Sequence, residues 1–333
     1  MDTIIYIIIG IFIILYIIDK KELVPPEIET MSIKEEIQEK VMTIEEKKTE
    51  RRNNIYKNIL TTLKEENPLK TYRVWTYIEI PNTSRNIQLS YRKMDIPIYF
   101  KKCIDLMKKN VPELIILTPL NIIDYLPDFS MEMKHESIVP LKLRIDLLFA
   151  SILEEYGGLC ISPGTILYDV NNALSLLKKY ELVTFGGNPS ILQSQNHIYY
   201  PNSYIIGSQK GTIFIKEYKR YLLMMKEDTS LYNFKVFDDS DIISHLVQKI
   251  KPSQYHFGTD YDGTYDSKLQ KISLKEYMGA TDLDFSDKNK LMVVSVPYDI
   301  LLKTSQYKWF LDLSEIQFIE SNLVLKRLIL TDI

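Results

Sequence analysis

Carboxylates and small polar side chains gather in one region of the sequence where they could hold a ligand. Asp146 lies in an apolar helical run, Leu141–Tyr156, and the turn Ser162-Pro163-Gly164-Thr165 follows a short β-type run, Leu159–Ile161. Two carboxylates in such a turn would bind Mg²⁺ or Mn²⁺. The turn in this chain carries hydroxyls instead, and these are weak ligands for a divalent ion.

Two acidic clusters further along the chain each have a functional and a structural interpretation. Asp241, followed one turn later by His245, is either a late carboxylate at a catalytic centre or an acidic residue favoured by the dipole in a first helical turn. Residues 260–266 have the spacing of half a calcium loop but lack the terminal Glu, which favours a turn centred on Gly263. The sequence offers neither a Ser/His/Asp set nor a phosphate-cradling glycine loop.

The elements that must position these residues alternate between strands and helices. The run Leu141–Tyr156 ends on Gly157-Gly158 and feeds Leu159–Ile161 directly into the polar turn. This order places the turn at the carboxyl end of a buried strand, the edge at which open α/β sheets bind ligands. The alternation predicts an α/β fold with a mixed, mostly parallel central sheet. We also predict strands over Tyr72–Ile80, Glu113–Leu117 and Met292–Val296, helices over Pro97–Lys109, Asn121–Leu126 and Ser314–Leu328, and packing of the last helix by Trp309 and Phe310.

The first residues of the chain carry a membrane signal. Thr3–Ile18 has no charge and is nearly all Ile, Leu, Phe and Tyr. A span needs about 20 residues, and snorkelling of Lys20 and Lys21 makes up the difference. We therefore predict a single-pass anchor over residues 1–19, held in the lipid bilayer, with the following domain on the cytosolic side because of these lysines. A buried core helix is the structural alternative; a cleaved signal peptide is disfavoured because Asp2 replaces the usual basic residue.

A charged helical stalk over residues 20–69 is expected to join the anchor to a globular domain over residues 70–333. Apolar residues recur at three- and four-residue spacing from Ile33 to Ile44, which is the pattern of an amphipathic helix. Interleaved charges of both signs favour a solvated helix or a weak coiled-coil seam for self-association over a nucleic-acid contact. The net charge of −3 also argues against a polyanion-binding surface, so no nucleic-acid partner is expected.

Several segments in fixed order resemble those of nucleotide-sugar glycosyltransferases. These are Trp75-Thr76-Tyr77 on the first strand, Asn110–Glu113 before the second strand, the helix–Tyr156-Gly157-Gly158–strand unit, and Tyr200–Gly207 as the strand that follows. Over residues 70–222 the chain is similar to the capsular-polysaccharide-synthesis family and to the DXD-containing sugar-binding glycosyltransferases. The resemblance implies a GT-A-like fold, in which a nucleotide-binding α/β layer is fused to an acceptor half. It also implies Mn²⁺ or Mg²⁺ as cofactor.

The chain departs from the family pattern at the residues that hold metal and donor. The family helix carries Asp-x-x-Arg, and here Asp146 occupies the Asp position while Phe149 replaces the Arg. The family strand ends in Asp-x-Asp, and here it ends in Ser162-Pro163-Gly164. Asp169 is the remaining candidate metal ligand; its alternative role is that of a carboxylate at a helix amino end.

The resemblance implies a role for each candidate site residue. Asp146 and Asp241 would be catalytic, and Asp146 would also hold donor hydroxyls; alternatively Asp146 forms a structural ion pair with Lys142 or Arg144. The donor-binding residues would be Trp75, Thr76, Tyr77, Asp146, Gly158, Ser162, Gly164 and Thr165, with the first three flanking the base and the turn lying under the diphosphate.

Three functions are compatible with these residues. The leading one is a membrane-anchored glycosyltransferase that moves a sugar from a nucleotide-sugar donor to a glycan or protein acceptor. The second is a catalytically inactive protein of the same fold that serves as a sugar-binding or assembly module. The third is a structural membrane protein whose stalk recruits partners.

Overall fold

The computed structural model of the 333-residue chain describes residues 46, 49–57, 60, 72–79, 96–111, 113–129, 139–187, 201–228, 240–249, 251–257, 263, 265–268, 270, 272–285, 291–296 and 298–330. The chain divides into two units, Met1–Ile55 and Tyr56–Ile333, and the α/β fold belongs to the second. In the first unit, residues 49–55 are helical, within the predicted stalk. None of the helices in the described part of the chain has the length and apolar character needed to cross a membrane. The predicted anchor, residues 3–18, lies outside the described residues.

A mixed sheet forms the centre of the second unit. Within the described residues it has six strands in the order β2-β1-β3-β6-β5-β7, and only β6 runs opposite to the rest. The strands are β1 (Val74–Tyr77), β2 (Leu114–Leu117), β3 (Gly158–Ile161), β5 (Leu182–Gly187), β6 (Pro201–Ser208) and β7 (Tyr255–Phe257), while β4 (Thr165–Leu167) and β8 (Val293–Ser295) form a separate antiparallel pair. This architecture confirms the prediction of an α/β fold with a mostly parallel central sheet.

The interior strands β1 and β3 are buried along their whole length. All four residues of β1 are buried, and so are all four of β3. Continuous apolar strands of this kind are typical of parallel sheets. The run that predicted β1, Tyr72–Ile80, extends two residues before and three residues beyond the observed strand, whereas the run that predicted β3, Leu159–Ile161, begins one residue inside it.

The helices of the second unit alternate with the strands or follow them along the chain. They are α1 (Ile98–Asn110), α2 (Ile122–Tyr125), α3 (Leu141–Glu155), α4 (Val170–Leu177), α5 (Ile213–Glu227), α6 (Ser240–Val247), α7 (Leu274–Tyr277), α8 (Tyr298–Lys303), α9 (Lys308–Leu311), α10 (Glu315–Glu320) and α11 (Val324–Leu330), with short 3-10 turns at Pro252–Gln254 and Ser305–Tyr307. The predicted helices near residues 97–109, 121–126 and 141–156 are confirmed.

Helix α3 is the central helix of the fold. It packs against β3, β6 and α5, and eleven of its fifteen residues are buried. The glycine pair ends the helix, as the sequence predicts. Gly157 takes φ 70° and Gly158 takes φ 110°, conformations that other residues adopt only with strain. The reversal lets β3 begin immediately after the helix and lie beside β1.

The prediction of one continuous helix over Ser314–Leu328 is wrong. Helix α10 ends at Glu320, and Ser321 takes an extended conformation with φ −67° and ψ 154°. The Ser321 hydroxyl donates to the Phe318 carbonyl oxygen at 2.7 Å, which offers the backbone an alternative to further helical bonds. Phe310 is buried as predicted, whereas Trp309 is 48% exposed.

The two cysteines are buried thiols. Their apolar sequence neighbours favour this state over a disulfide, and Cys103 in α1 and Cys160 in β3 are both free and buried. Burial raises the pKa of both thiols above its usual value, so the thiolate form is disfavoured.

Candidate functional site

The structure contains the sheet edge at which the sequence predicts a ligand site. Strands β1, β2 and β3 are parallel and in register, so their carboxyl ends meet at one edge of the sheet. The Ser162–Thr165 turn leaves β3 at this edge. The amino end of β6 also lies here, because β6 is antiparallel to β3 and the Ser162 amide donates to the Tyr204 carbonyl oxygen at 2.7 Å.

The turn is enclosed by segments from both ends of the domain. Pro163, Gly164 and Thr165 are buried, and only Ser162 is partly exposed. The Val296 amide donates to the Gly164 carbonyl oxygen at 2.9 Å, just beyond β8. A Cβ on Gly164 would overlap the Val296 carbonyl oxygen and would lie 3.4 Å from the Tyr99 hydroxyl oxygen, so the turn has neighbours on two sides.

Tyr99 is itself fixed in this enclosure. It is fully buried in α1, and its ring centroid lies 4.9 Å from that of Phe310 in α9. The carboxyl-terminal helices therefore hold α1 against the turn. The turn residues Ser162, Gly164 and Thr165 are close together, as predicted, but they are packed under protein.

The Asp146 carboxylate is held by an internal cation. The Lys142 ammonium donates to both carboxylate oxygens at 2.6 Å, one helical turn earlier in α3. The Ser203 hydroxyl, at the start of β6, accepts from Lys142 and donates to Asp146. Asp146 is 0% exposed and Lys142 only 3%. Of the two interpretations of Asp146, the structure shows the ion pair, and its partner is Lys142.

A second buried ion pair ties α3 to the end of β1. Arg144 Nη1 donates to Glu79 Oε1 at 2.6 Å, and the Tyr77 hydroxyl donates to Glu79 Oε2 at 3.0 Å. Burial, together with the negative charge of Glu79, raises the pKa of Tyr77 well above its usual value, so Tyr77 stays a neutral donor. The pairs Lys142–Asp146 and Arg144–Glu79 thus place four charged groups at the carboxyl edge of the sheet.

The other predicted donor contacts lie in the core. Trp75 is fully buried, donates from Nε1 to the Gly157 carbonyl oxygen at 3.0 Å, and meets the Tyr125 ring edge-on at 5.5 Å. The Thr76 hydroxyl is buried and has no hydrogen-bond partner among the described residues. A base could stack on Trp75 only if the side chain moved. Its role as a donor contact, like that of Thr76 and Tyr77, stays a prediction.

Gly158 allows the two neighbouring strands β1 and β3 to lie close together. A Cβ at this position would overlap the Arg73 carbonyl oxygen and would lie 3.1 Å from Trp75 Nε1. The missing side chain therefore lets β3 lie against β1, and this packing accounts for the glycine without a ligand.

Asp169 caps helix α4. Its side chain accepts from the Asn172 amide at 3.0 Å and from Asn172 Nδ2 at 2.6 Å. This is the structural alternative that the sequence left open. No group of three or more His, Cys, Asp or Glu that could hold a metal ion occurs within the described ranges. Both predicted carboxylates are engaged within the protein, Asp146 by Lys142 and Asp169 by Asn172, and the binding of Mn²⁺ or Mg²⁺ stays a prediction.

The capping role of Asp169 gives a direct prediction. Asp169→Ala should lower the stability of the folded protein by about 0.5–2 kcal/mol, because the Asn172 amide loses its acceptor. Asp169→Asn, which also caps, should change it little. Thermal unfolding with and without Mn²⁺ checks this. A Mn²⁺-dependent stabilisation that Asp169→Asn abolishes would instead make Asp169 a metal ligand.

Asp241 lies in the first turn of α6, as the sequence predicts, but its side chain is outside the described part of the structure. One turn on, His245 is exposed and its ring centroid lies 6.3 Å from that of Tyr221 in α5. Helix α6 packs on α5 and β6. The catalytic role of Asp241 stays a prediction.

Known proteins add little to this picture. No family model and no curated protein matches the chain. Among solved structures it is similar to the bifunctional IspDF from Campylobacter jejuni, with 12% identity and a TM-score of 0.31, over 64% of this chain and 55% of that one. The chain thus spans about half the length of that protein. A likeness of this size supports no conclusion about activity.

Ser203 and Glu79 are the site residues that the sequence interpretation missed. Ser203 lies within the Tyr200–Gly207 segment but was given no role there, and both residues come from strand ends far from α3 in the sequence. The available signal was the presence of Lys142 and Arg144 in an otherwise apolar helix, since buried basic residues require acidic or polar partners.

Proposed function

We propose that this chain is a glycosyltransferase-like protein of GT-A type that no longer transfers sugar and that keeps the fold as a binding or assembly module. One observation carries the proposal. The turn that should hold the metal and the diphosphate has no carboxylate and is packed under Tyr99 and Val296.

The state of Asp146 supports the same proposal. Both carboxylate oxygens are engaged by Lys142, and Ser203 donates a further hydrogen bond. To bind a cation, Asp146 would have to move away from Lys142 and leave a buried ammonium without its counter-charge. Breaking a buried pair in this way costs about 3–5 kcal/mol. Substrate binding would have to supply that energy before any chemistry began.

The GT-A part of the proposal rests on the sequence resemblance together with the layout of the sheet. The glycine-terminated α3, the strand β3 that follows it, and the mostly parallel sheet agree with what the resemblance implies. Anchoring to a membrane through residues 3–18 and self-association through the stalk belong to the proposal as predictions from sequence.

A second candidate, an active transferase, is favoured by a specific observation at the turn. The Thr165 hydroxyl is buried and has no hydrogen-bond partner in the described structure. A donor oxygen could satisfy it if α1 and the segment after β8 moved away from the turn. An active transferase would therefore require the segments around the turn to move apart. The catalytically inactive protein would not require this movement.

Release of nucleotide distinguishes the two candidates. The full chain in detergent is incubated with a panel of UDP- and GDP-sugars and acceptor glycans, with Mn²⁺ or Mg²⁺, and free UDP and GDP are measured. The Lys142→Met/Asp146→Leu double variant is the matched control, because it removes both charges of the pair. We expect no release by the wild type above that control. Multiple turnovers by the wild type that the double variant loses would establish the active transferase.

A further inference from the structure

The outer face of helix α5 carries a regular stripe of solvent-facing side chains. Four residues on its inner face are buried and hold the helix against the domain, and these are Phe214, Ile215, Tyr218 and Leu222. The opposite face presents residues at alternating steps of four and three positions, and these are Ile213, Glu217, Arg220, Met224 and Glu227. This alternation is the spacing of a seam between two packed helices. We call these five residues the α5 stripe.

The α5 stripe has an exposed apolar residue on each side of a central ion pair. Ile213 is 79% exposed and Met224 is 44% exposed. Between them, Arg220 Nη2 lies 2.7 Å from Glu217 Oε2. Ile213 precedes Glu217 by four positions, and Met224 follows Arg220 by four positions. Single exposed apolar residues are common on soluble proteins, but this equal spacing makes the stripe complementary to its own reverse.

The charges select the direction in which two such stripes can pair. In a parallel pairing, Glu217 would face Glu217 of the second copy and Arg220 would face Arg220, so like charges would meet. An antiparallel pairing can instead place Ile213 opposite Met224 of the second copy. Glu217 then lies opposite Arg220, and each contact occurs twice, as in a two-fold interface. Like charges across an interface are costly, whereas unlike charges fix its register.

The same register brings unlike charges together at the ends of the helix. Lys210 lies three positions before Ile213, and Glu227 lies three positions after Met224. In the antiparallel pairing these two residues therefore meet across the interface. Lys210 is exposed, and its present contact with Glu155, at 3.4 Å, is also on the surface. Water screens such a pair, so Lys210 can turn toward a second carboxylate at little cost.

We infer that α5 pairs with α5 of a second copy of this chain, in an antiparallel contact around a two-fold axis. The contact covers the exposed surface of Ile213 and Met224 and joins the two Glu217–Arg220 pairs into one network. One helix pair buries less surface than a typical stable dimer, so the contact is weak by itself. The predicted anchor, residues 3–18, would raise the effective concentration of two chains in one bilayer. The inference names a partner for the assembly role, and it rests on the proposed function only in that respect.

Cysteine cross-linking of the full chain, in detergent and at high protein concentration, tests the register. The two native cysteines are buried and burial raises their pKa, so a cysteine placed on the stripe is the reactive one. Ile213→Cys chains mixed with Met224→Cys chains should form a dimer with a short bismaleimide. Either variant alone should cross-link about tenfold more slowly, because its two cysteines would lie about 16 Å apart in the antiparallel register.

Ile316→Cys is the matched control for the cross-linking. Ile316 is 67% exposed, but it lies on α10, outside the α5 stripe. A mixture of Ile316→Cys and Ile213→Cys therefore reports chance collisions and any association through other parts of the chain. If the Ile213→Cys and Met224→Cys mixture reacted only at this background rate, the contact would be overturned. Equally fast reaction of either stripe variant alone would overturn the antiparallel register.

Charge reversal tests the ionic part of the contact. Glu217→Arg, added to both cysteine variants, should slow their cross-linking about fivefold or more, because like charges then meet across the two-fold axis. Adding Arg220→Glu as well should restore the rate to within about twofold, since the reversed pair is again complementary. An unchanged rate in the first variant, or no recovery in the second, would overturn the inferred pairing. Sugar transfer by this chain would refute the proposed function and leave the cross-linking result standing.

Discussion

Replacing Asp146 with leucine is expected to destabilise the folded protein by about 3–5 kcal/mol, because the Lys142 ammonium stays in the core without its carboxylate. Asp146 is 0% exposed, and Lys142 donates to both of its oxygens at 2.6 Å. Equilibrium urea unfolding of the full chain, followed by tryptophan fluorescence, measures the loss.

Two controls separate this effect from a general sensitivity of α3. The Lys142→Met/Asp146→Leu double variant should recover most of the lost stability, since exchanging a buried pair for apolar side chains is often neutral. Glu217→Gln, which breaks the exposed pair with Arg220, should change the stability far less than Asp146→Leu does, because water screens an exposed pair. An Asp146→Leu variant as stable as the wild type would mean that this carboxylate is not the counter-charge of Lys142.

Gly158→Ala should have the other large effect, about 2–6 kcal/mol. Its φ of 110° is strained for alanine, at about 1–3 kcal/mol, and the new Cβ would overlap the Arg73 carbonyl oxygen, with an overpacking cost of about 1–3 kcal/mol. The two strands β1 and β3 would be forced apart at their start. Equilibrium urea unfolding of the full chain measures this loss of stability.

Gly211→Ala is the matched control for Gly158→Ala. Gly211 has φ 63°, but a Cβ there would meet nothing nearer than 3.5 Å. It therefore reports the backbone strain alone, about 1–2 kcal/mol. If both variants lost the same stability, the close approach of β3 to β1 would contribute nothing, and a packing role would no longer account for Gly158.

The layout of the fold could be predicted because it depends on local patterns. The glycine pair after α3 requires positive φ, and the apolar run that follows can only be a buried strand. The pattern failed at Ser321, because the spacing of apolar residues continues from α10 into α11. The break depends on one side-chain hydrogen bond, from Ser321 to the Phe318 carbonyl oxygen. Periodicity carries no information about such a bond.

The site was less predictable because its state depends on contacts between distant segments. The sequence showed that the turn after β3 lacks carboxylates, and it named Lys142 as one partner for Asp146. It could not show that Ser203 completes this cluster or that Val296 covers Gly164, since those residues are 57 and 132 positions away in the chain. Asp169 was easier, because a cap involves only the next three residues.

We propose that the carboxyl edge of the sheet, where the sequence resemblance implies a metal-bound donor, has no metal site among the described residues, because Lys142 binds both carboxylate oxygens of Asp146. Calorimetry of UDP with the full chain, in the presence of either Mn²⁺ or EDTA, tests it most directly. We predict the same dissociation constant in both buffers, to within about twofold, because the described carboxylates at this edge, Asp146 and Glu79, are already paired with Lys142 and Arg144. Binding that Mn²⁺ strengthens by about tenfold or more, and that Asp146→Asn reverses, would contradict the account.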